Sequence, residues 1–251
     1  MVTAISTVIR KMIDIHTHVV FGVDDGSRSL EMSQEMLRQA AAGGVRGICC
    51  TSHARPGHRP FPAREYLERL ETLRQFVLGE GLDIQLFHGC EIMYTSEAVR
   101  AVREGNVPSL AGKDTVLMEF MPDTPWGMVQ HGVREMSNAG FRVLVAHVER
   151  YECLREVFSW LEELRELGCL LQMNADTVLR SRGMMGDRWA RKALKAGLID
   201  VVASDMHNLT NRKSCLPEAR QALKRNYGEE TARRLTEDNP QRILEGWGLG
   251  S

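Results

Sequence analysis

Apolar runs of strand length alternate with stretches of helical periodicity along almost the whole chain. The runs at 13–16, 45–52, 84–91, 115–120, 142–147, 169–173 and 199–204 predict seven strands. Amphipathic patterns near 29–42, 63–80, 95–105, 126–139, 151–167, 186–196, 216–226 and 229–237 predict the helices. Ser29, before Glu31 and Met32, reads as a helix cap, and Thr124 as a capping hydroxyl before a first-turn Pro125. Gly43-Gly44, Gly81, Gly140, Gly168 and Gly197 stand just before strands, where helices end in a left-handed residue. Regular βα alternation implies a parallel sheet. Six of the seven strands end in a chemically capable side chain, and those ends must converge, which favours closure into a barrel over an open sheet.

Those end residues are the chemistry of the chain. His16-Thr17-His18 closes the first run, and an i, i+2 pair on a strand turns both imidazoles to one face. Asp25 follows in Gly22-Val23-Asp24-Asp25-Gly26, and His53, Glu91, Glu119, His147, Asp205 and His207 close later runs. Each alone reads most simply as a hydrogen-bonded core group or a solvated acid; their recurrence at one end of successive strands does not. Nine ligands exceed what one ion takes, so two or three divalent metals with bridging carboxylates are expected. Four carboxylates gathered without cations would repel and take up protons. Imidazole mixed with carboxylate and no cysteine suits manganese, iron or zinc in an open site better than a closed structural zinc.

Composition removes several alternatives. A formal net charge of −1 and a pI near 6.7 offer no electrostatic case for nucleic acid or an anionic membrane. The apolar runs are far too short to span a bilayer, and 1–11 lacks a signal-peptide core, so it is expected to be an extension to a single domain over 12–251. Six scattered cysteines without a CxxC pair suit reduced thiols, hence a cytoplasmic protein. Cys49 to Arg55 fits the C-x5-R spacing of cysteine-dependent phosphatases, but it lacks the loop glycines that turn amides toward phosphate. Its cysteines also continue an apolar strand, so they are expected to be buried and inert.

The stretches MIDIHTHVVFGVDDGSRSLEMS, TSHARPG, GCEI, LMEF, AHVERY, LLQMNA and ASDMHN resemble successive motifs of the PHP (polymerase and histidinol phosphatase) superfamily. Within it they are most similar to bacterial manganese-dependent protein-tyrosine phosphatases of capsule and exopolysaccharide synthesis. The resemblance implies a distorted (β/α)7 barrel and two to three divalent ions, manganese foremost. It places the ligands on the same nine positions, with Asp25 preferred over Asp24, and phosphate-binding arginines on Arg150 and Arg212. It further implies hydrolysis of phosphotyrosine in proteins, with a bacterial tyrosine kinase as the substrate protein. Histidinol phosphate or another small ester is the alternative substrate, and a non-catalytic metal-binding regulatory domain is the third reading; self-association is left open. The chain departs from the pattern at Ala54, where related sequences often carry a second histidine, and Arg55 or His58 is expected to fill that space.

Overall fold

The computed structural model of the chain describes residues 11–181 and 187–246, so all of the expected extension but Lys11 lies outside the described residues. The seven apolar runs form β1 (Met12–Thr17), β2 (Val45–Ala54), β3 (Gln85–Met93), β4 (Thr115–Glu119), β5 (Arg142–Val145), β6 (Leu170–Asn174) and β7 (Val201–Ala203), each parallel to the next in sequence order. β1, β4, β6 and β7 are buried at every position, as strands covered on both faces must be. Between β7 and β1 the sheet closes through one bridge, Thr17 to Met206. The His18 N–H donates to the Met206 carbonyl at 2.8 Å and the Asp205 N–H to the His16 carbonyl at 2.9 Å. The Ser204 N–H donates to the buried Asp14 carboxylate at 2.9 Å. With so sparse a seam, the fold is a distorted (β/α)7 barrel, closed as the pattern predicts and of the form that the resemblance implies.

Cys49, Leu117, Leu144, Leu170 and Val201 form one buried cluster with Ile13, Ile15, Leu110, Ile243 and Leu244. Two and four residues on, the same strand faces carry His53, Glu119, Gln172, Asn174 and Asp205, so this cluster is the floor beneath the site. The pairing of β1 with β2 shifts register between Asp14 and Thr17. That irregularity lets Ile15 join the floor while His16, its neighbour, joins the site.

The helices are α1 (Leu30–Ala42), α2 (Ala63–Gly79), α3 (Ala98–Arg103), α4 (Trp126–Asn138), α5 (Glu152–Glu156), α6 (Trp160–Glu166), α7 (Ala175–Arg180), α8 (Arg188–Lys195), α9 (Leu216–Tyr227), α10 (Glu229–Arg233) and α11 (Asn239–Glu245). Ser29 caps α1 as expected, its hydroxyl accepting from the Met32 N–H at 3.3 Å, and Gly44, at φ +93°, turns the chain back into β2. Thr124 does not cap α4; Pro125 holds the cap position with no side-chain bond, and the Thr124 N–H closes a turn on Met121. The helix expected over 151–167 is two, because Val157 is extended and Phe158 packs edge-on against Trp189. α7 and α11 had no predicted counterpart: α7 follows β6 without a loop, and α11 is too short for a periodicity to show. Among the described residues no helix is long and apolar enough to cross a membrane.

Candidate metal centre

All nine predicted ligands meet at the C-terminal end of the barrel. Three adjacent clusters have ligand atoms within 4.8 Å of one another: His16, His18, Glu91 and Asp205; His18, Asp25, His53 and His207; and His53, Glu91 and Glu119. His147 lies beside them, its Nε2 2.7 Å from Glu91 Oε1 and 3.8 Å from Glu119 Oε2. Glu91 is thus common to two clusters and touches His147 as well. His53 faces both ways, with Nε2 3.4 Å from Asp25 Oδ1 and Nδ1 3.0 Å from Glu119 Oε1. Asp25 is the exposed member, its side chain 67% accessible, whereas Glu91 is buried.

Whether divalent metal fits this donor set can be judged from its unpaired atoms. His53 Nδ1, Glu91 Oε2, Glu119 Oε1 and His207 Nε2 are buried and make no well-formed hydrogen bond, although His53 Nδ1 lies 3.0 Å from Glu119 Oε1 and 3.2 Å from Glu91 Oε2. Each such atom costs about 1–3 kcal/mol if nothing compensates it. His16 Nε2 and His18 Nε2 face each other at 3.2 Å, both near Glu91 Oε2 at 3.0 and 3.1 Å. Nitrogen and carboxylate lone pairs aimed at common points are what cation coordination satisfies, so the residues fit.

The electrostatics agree. Burial alone would push the His18 imidazole down, but the Asp24 and Glu91 carboxylates lift it to about 10. His16 also rises, by Glu91 and Asp205 against burial. Burial would raise Asp205, yet His16 leads the groups that hold it well below the carboxylate range. Burial and His18 push His207 down to about 3. The raised His16 and His18 and the lowered Asp205 mark a centre rich in negative charge, which a divalent cation would neutralise.

Two turns that carry predicted ligands are strained. His147 and Asp205 have positive φ, +31° and +55°, an uncommon backbone for residues with a Cβ that costs about 1–3 kcal/mol and clusters at functional sites. Asp205 is held by both predicted arginines. Arg150 Nη2 donates to its Oδ2 at 2.7 Å, and Arg212 Nη2 to Oδ1 and Oδ2 at 3.0 and 2.9 Å. Arg212 is placed by an Asx turn, in which Asn208 Oδ1 accepts from the Thr210 and Arg212 N–H groups. Arg150, Asn174, Asp205, Arg212 and Lys213 share a cleft of about 370 Å³.

Three residues had no predicted role. The Asp24 carboxylate, 1% exposed, sits 2.7 Å from His18 Nδ1 and accepts from the His53 and Gly26 N–H groups. Gln172 Oε1 lies 3.2 Å from His16 Nδ1 and accepts from the His147 N–H at 2.7 Å. Gln172 Nε2 donates to Asn174 Oδ1, and Asn174 Nδ2 donates to Asp205. β6, the strand expected to bring no chemistry, therefore supplies the polar links behind the ligands. The signal available was a polar i, i+2 pair inside an otherwise apolar run.

At the departure point, Ala54 is buried, while Arg55 and His58 are exposed and outside the ligand clusters. They line a cleft of about 760 Å³ with Asp25 and His53. The C-x5-R cysteines are wholly buried, Cys49 raised well above its usual range by burial and Cys50 pushed up to about 12. Neither is a poised nucleophile.

Residues 12–245 match the family described as capsular polysaccharide synthesis, CpsB/CapC. Tyrosine-protein phosphatase CpsB of Streptococcus pneumoniae is 34% identical over 239 residues, covering 93% of this chain and 98% of that protein. Tyrosine-protein phosphatase YwqE of Bacillus subtilis is 29% identical over 227 residues, covering 90% of this chain and 89% of that one. A solved structure from work on YwqE and S. pneumoniae CpsB, described as unique metal-dependent tyrosine phosphatases, superposes with a TM-score of 0.84 at 28% identity, covering 94% and 95% of the two chains. The phosphotriesterase homology protein of Escherichia coli, at 13% identity and a TM-score of 0.58, shares the fold alone.

Proposed function

The chain belongs to the CpsB/CapC family of capsular polysaccharide synthesis, and from that premise we propose that it is a metal-dependent phosphomonoesterase acting on phosphotyrosine in proteins. The observation that carries the reading is the convergence of imidazoles and carboxylates around Glu91, with two guanidinium groups beside it. We read residues 12–251 as one phosphatase domain working in the cytoplasm, where free cysteines stay reduced. Its substrate protein is a bacterial tyrosine kinase that regulates capsular or exopolysaccharide synthesis.

His16, His18, Asp25, His53, Glu91, Glu119, His147, Asp205 and His207 would hold two to three divalent ions, manganese foremost. When bound, such ions supply Lewis acidity toward phosphoryl oxygens and toward water. Arg150 and Arg212 neutralise the outer side of Asp205, and their remaining N–H donors would seat the non-bridging oxygens of a phosphate. Asp24 fixes the His18 tautomer, while Gln172 and Asn174 fix His16 and Asp205. The phenolate of tyrosine, with a pKa of about 10, leaves more readily than an alkoxide, so the site has less need of a general acid.

The deciding experiment compares kcat/KM for a phosphotyrosyl peptide and for histidinol phosphate, with Mn²⁺ added and metal content measured on the same preparation. The peptide should be strongly preferred, with two to three ions per chain. Preference for histidinol phosphate, or a single tetrahedral zinc with the other donors facing solvent, would overturn the reading.

A further inference from the structure

The cleft of about 760 Å³ beside the metal centre has a composition that the chemistry of phosphate cleavage does not require. Asp25 and His53 form its inner end, and Arg55, His58 and Arg59 its outer lip. Met93, Tyr94 and Met121 line the same cleft, and Met121 is 54% exposed, so the wall between the site and the lip offers apolar and aromatic surface. His58 and Arg59 also line an adjoining cavity of about 810 Å³, bounded by Pro56, Phe61, Glu97 and Arg100, so the depression runs on past the site as a groove. In that second cavity the acids are engaged: Glu97 pairs with Arg100, and Glu104 accepts from Asn106.

Arg55 and Arg59 are different. Both are exposed, and among the described residues neither makes an ion pair or side-chain hydrogen bond, although Arg64, Arg69, Arg74 and Arg100 nearby all do. The chain as a whole carries a formal charge of −1, so unneutralised cations gathered on one lip are a local feature. They lie two and six residues after His53, in the segment that leaves the end of β2, where His53 joins the ligand clusters.

We infer that this groove is a peptide-docking surface whose occupant is the segment around the phosphotyrosine, and that Arg55 and Arg59 select acidic side chains flanking it. The inference rests on the phosphotyrosine reading and adds to it a sequence preference. With the phosphate held at the metals, the tyrosyl ring leaves along the cleft past Met93, Tyr94 and Met121. Its flanking residues then cross the lip, where a carboxylate meets two guanidinium groups that have no other partner. Exposed pairs of this kind are each weak, so the preference is modest and sensitive to salt.

The test uses two phosphotyrosyl peptides that differ only in carrying Glu or Gln on either side of the tyrosine. Wild-type protein with Mn²⁺ should cleave the Glu peptide with roughly three- to tenfold higher kcat/KM at low salt. That ratio should fall toward one as ionic strength rises to about 1 M, where the Debye length is about 3 Å. In R55Q/R59Q the ratio should be near one at every salt concentration. Equal cleavage of the two peptides by wild-type protein overturns the inference while leaving the phosphatase reading intact; no cleavage of either peptide removes that reading itself. If the variant does not fold, the wild-type salt series decides alone. A groove that serves a second copy of the chain would show an R55Q/R59Q-sensitive dimer in sedimentation with no peptide preference, and that result also overturns it.

Discussion

Asp24 and Asp25 are neighbours with opposite tasks. Asp25 presents a largely exposed carboxylate to His53 and His207, while Asp24 is enclosed and spends its oxygens on His18 Nδ1 and two backbone N–H groups. The sequence shows two acids in a glycine-flanked loop; which one turns inward depends on backbone geometry that spacing does not encode. Asp24→Asn keeps the shape but loses the charge that orients His18, so metal affinity should fall ~10–100-fold, read by competition with a chelator of known affinity. Arg150 and Arg212 were legible only through family resemblance, and their shared grip on Asp205 adds an expectation. Arg150→Lys or Arg212→Lys should lower kcat/KM for an aryl phosphate ~10²–10³-fold, since a point charge replaces a planar fork. Metal stoichiometry should persist in each variant, because the other arginine still neutralises Asp205. The buried thiols predict the reverse. A Cys49→Ser, Cys50→Ser variant should retain aryl phosphatase activity per folded molecule while melting earlier, as hydroxyls enter an apolar layer.

At the level of elements, the strand ends were readable because apolar runs stop at polar residues, and six of those stops carry imidazole or carboxylate. β6 was not, because its polar groups are amides, Gln172 inside the run and Asn174 just after it, and an amide in a buried strand looks like an ordinary satisfied core group. Helix ends were less legible: Val157 breaks a periodicity that extends on either side of it, and no local signal marks the break. One helix shows how the frame holds the site still. Tyr66 on α2 reaches across to β2 and β3, its hydroxyl donating to the Cys50 carbonyl at 2.6 Å and accepting from the Gly89 N–H at 3.1 Å. Tyr66→Phe removes both of these hydrogen bonds. Stability should drop by about 1–3 kcal/mol in urea unfolding, with metal content unchanged once folded.

For the molecule as a whole, the barrel architecture followed from βα alternation, and the position of the site followed from the barrel, since parallel strands bring their C-terminal ends to one face. Composition could not show how tightly the donors crowd. Removing divalent metal should uncover that crowding. Dialysis against a chelator is expected to lower Tm by roughly 5–10 °C for each independent ion lost, and Mn²⁺ at a hundredfold excess over Kd to restore it, the gain being about 2.7 kcal/mol per independent site. A calorimetric scan of the three samples checks this; an unchanged Tm would mean that the donors stabilise one another without a cation.

The seam between β7 and β1 makes the centre a test of chain completeness. His16 and His18 are translated early, but Asp205 and His207 lie just past Ser204, which is 190 residues beyond its partner Asp14. A nascent or prematurely terminated chain can hold most of the barrel and still lack the strand that brings these last two donors. If these donors hold the metals, a chain ended before Asp205 should therefore show no hydrolysis even where most of its strands are present.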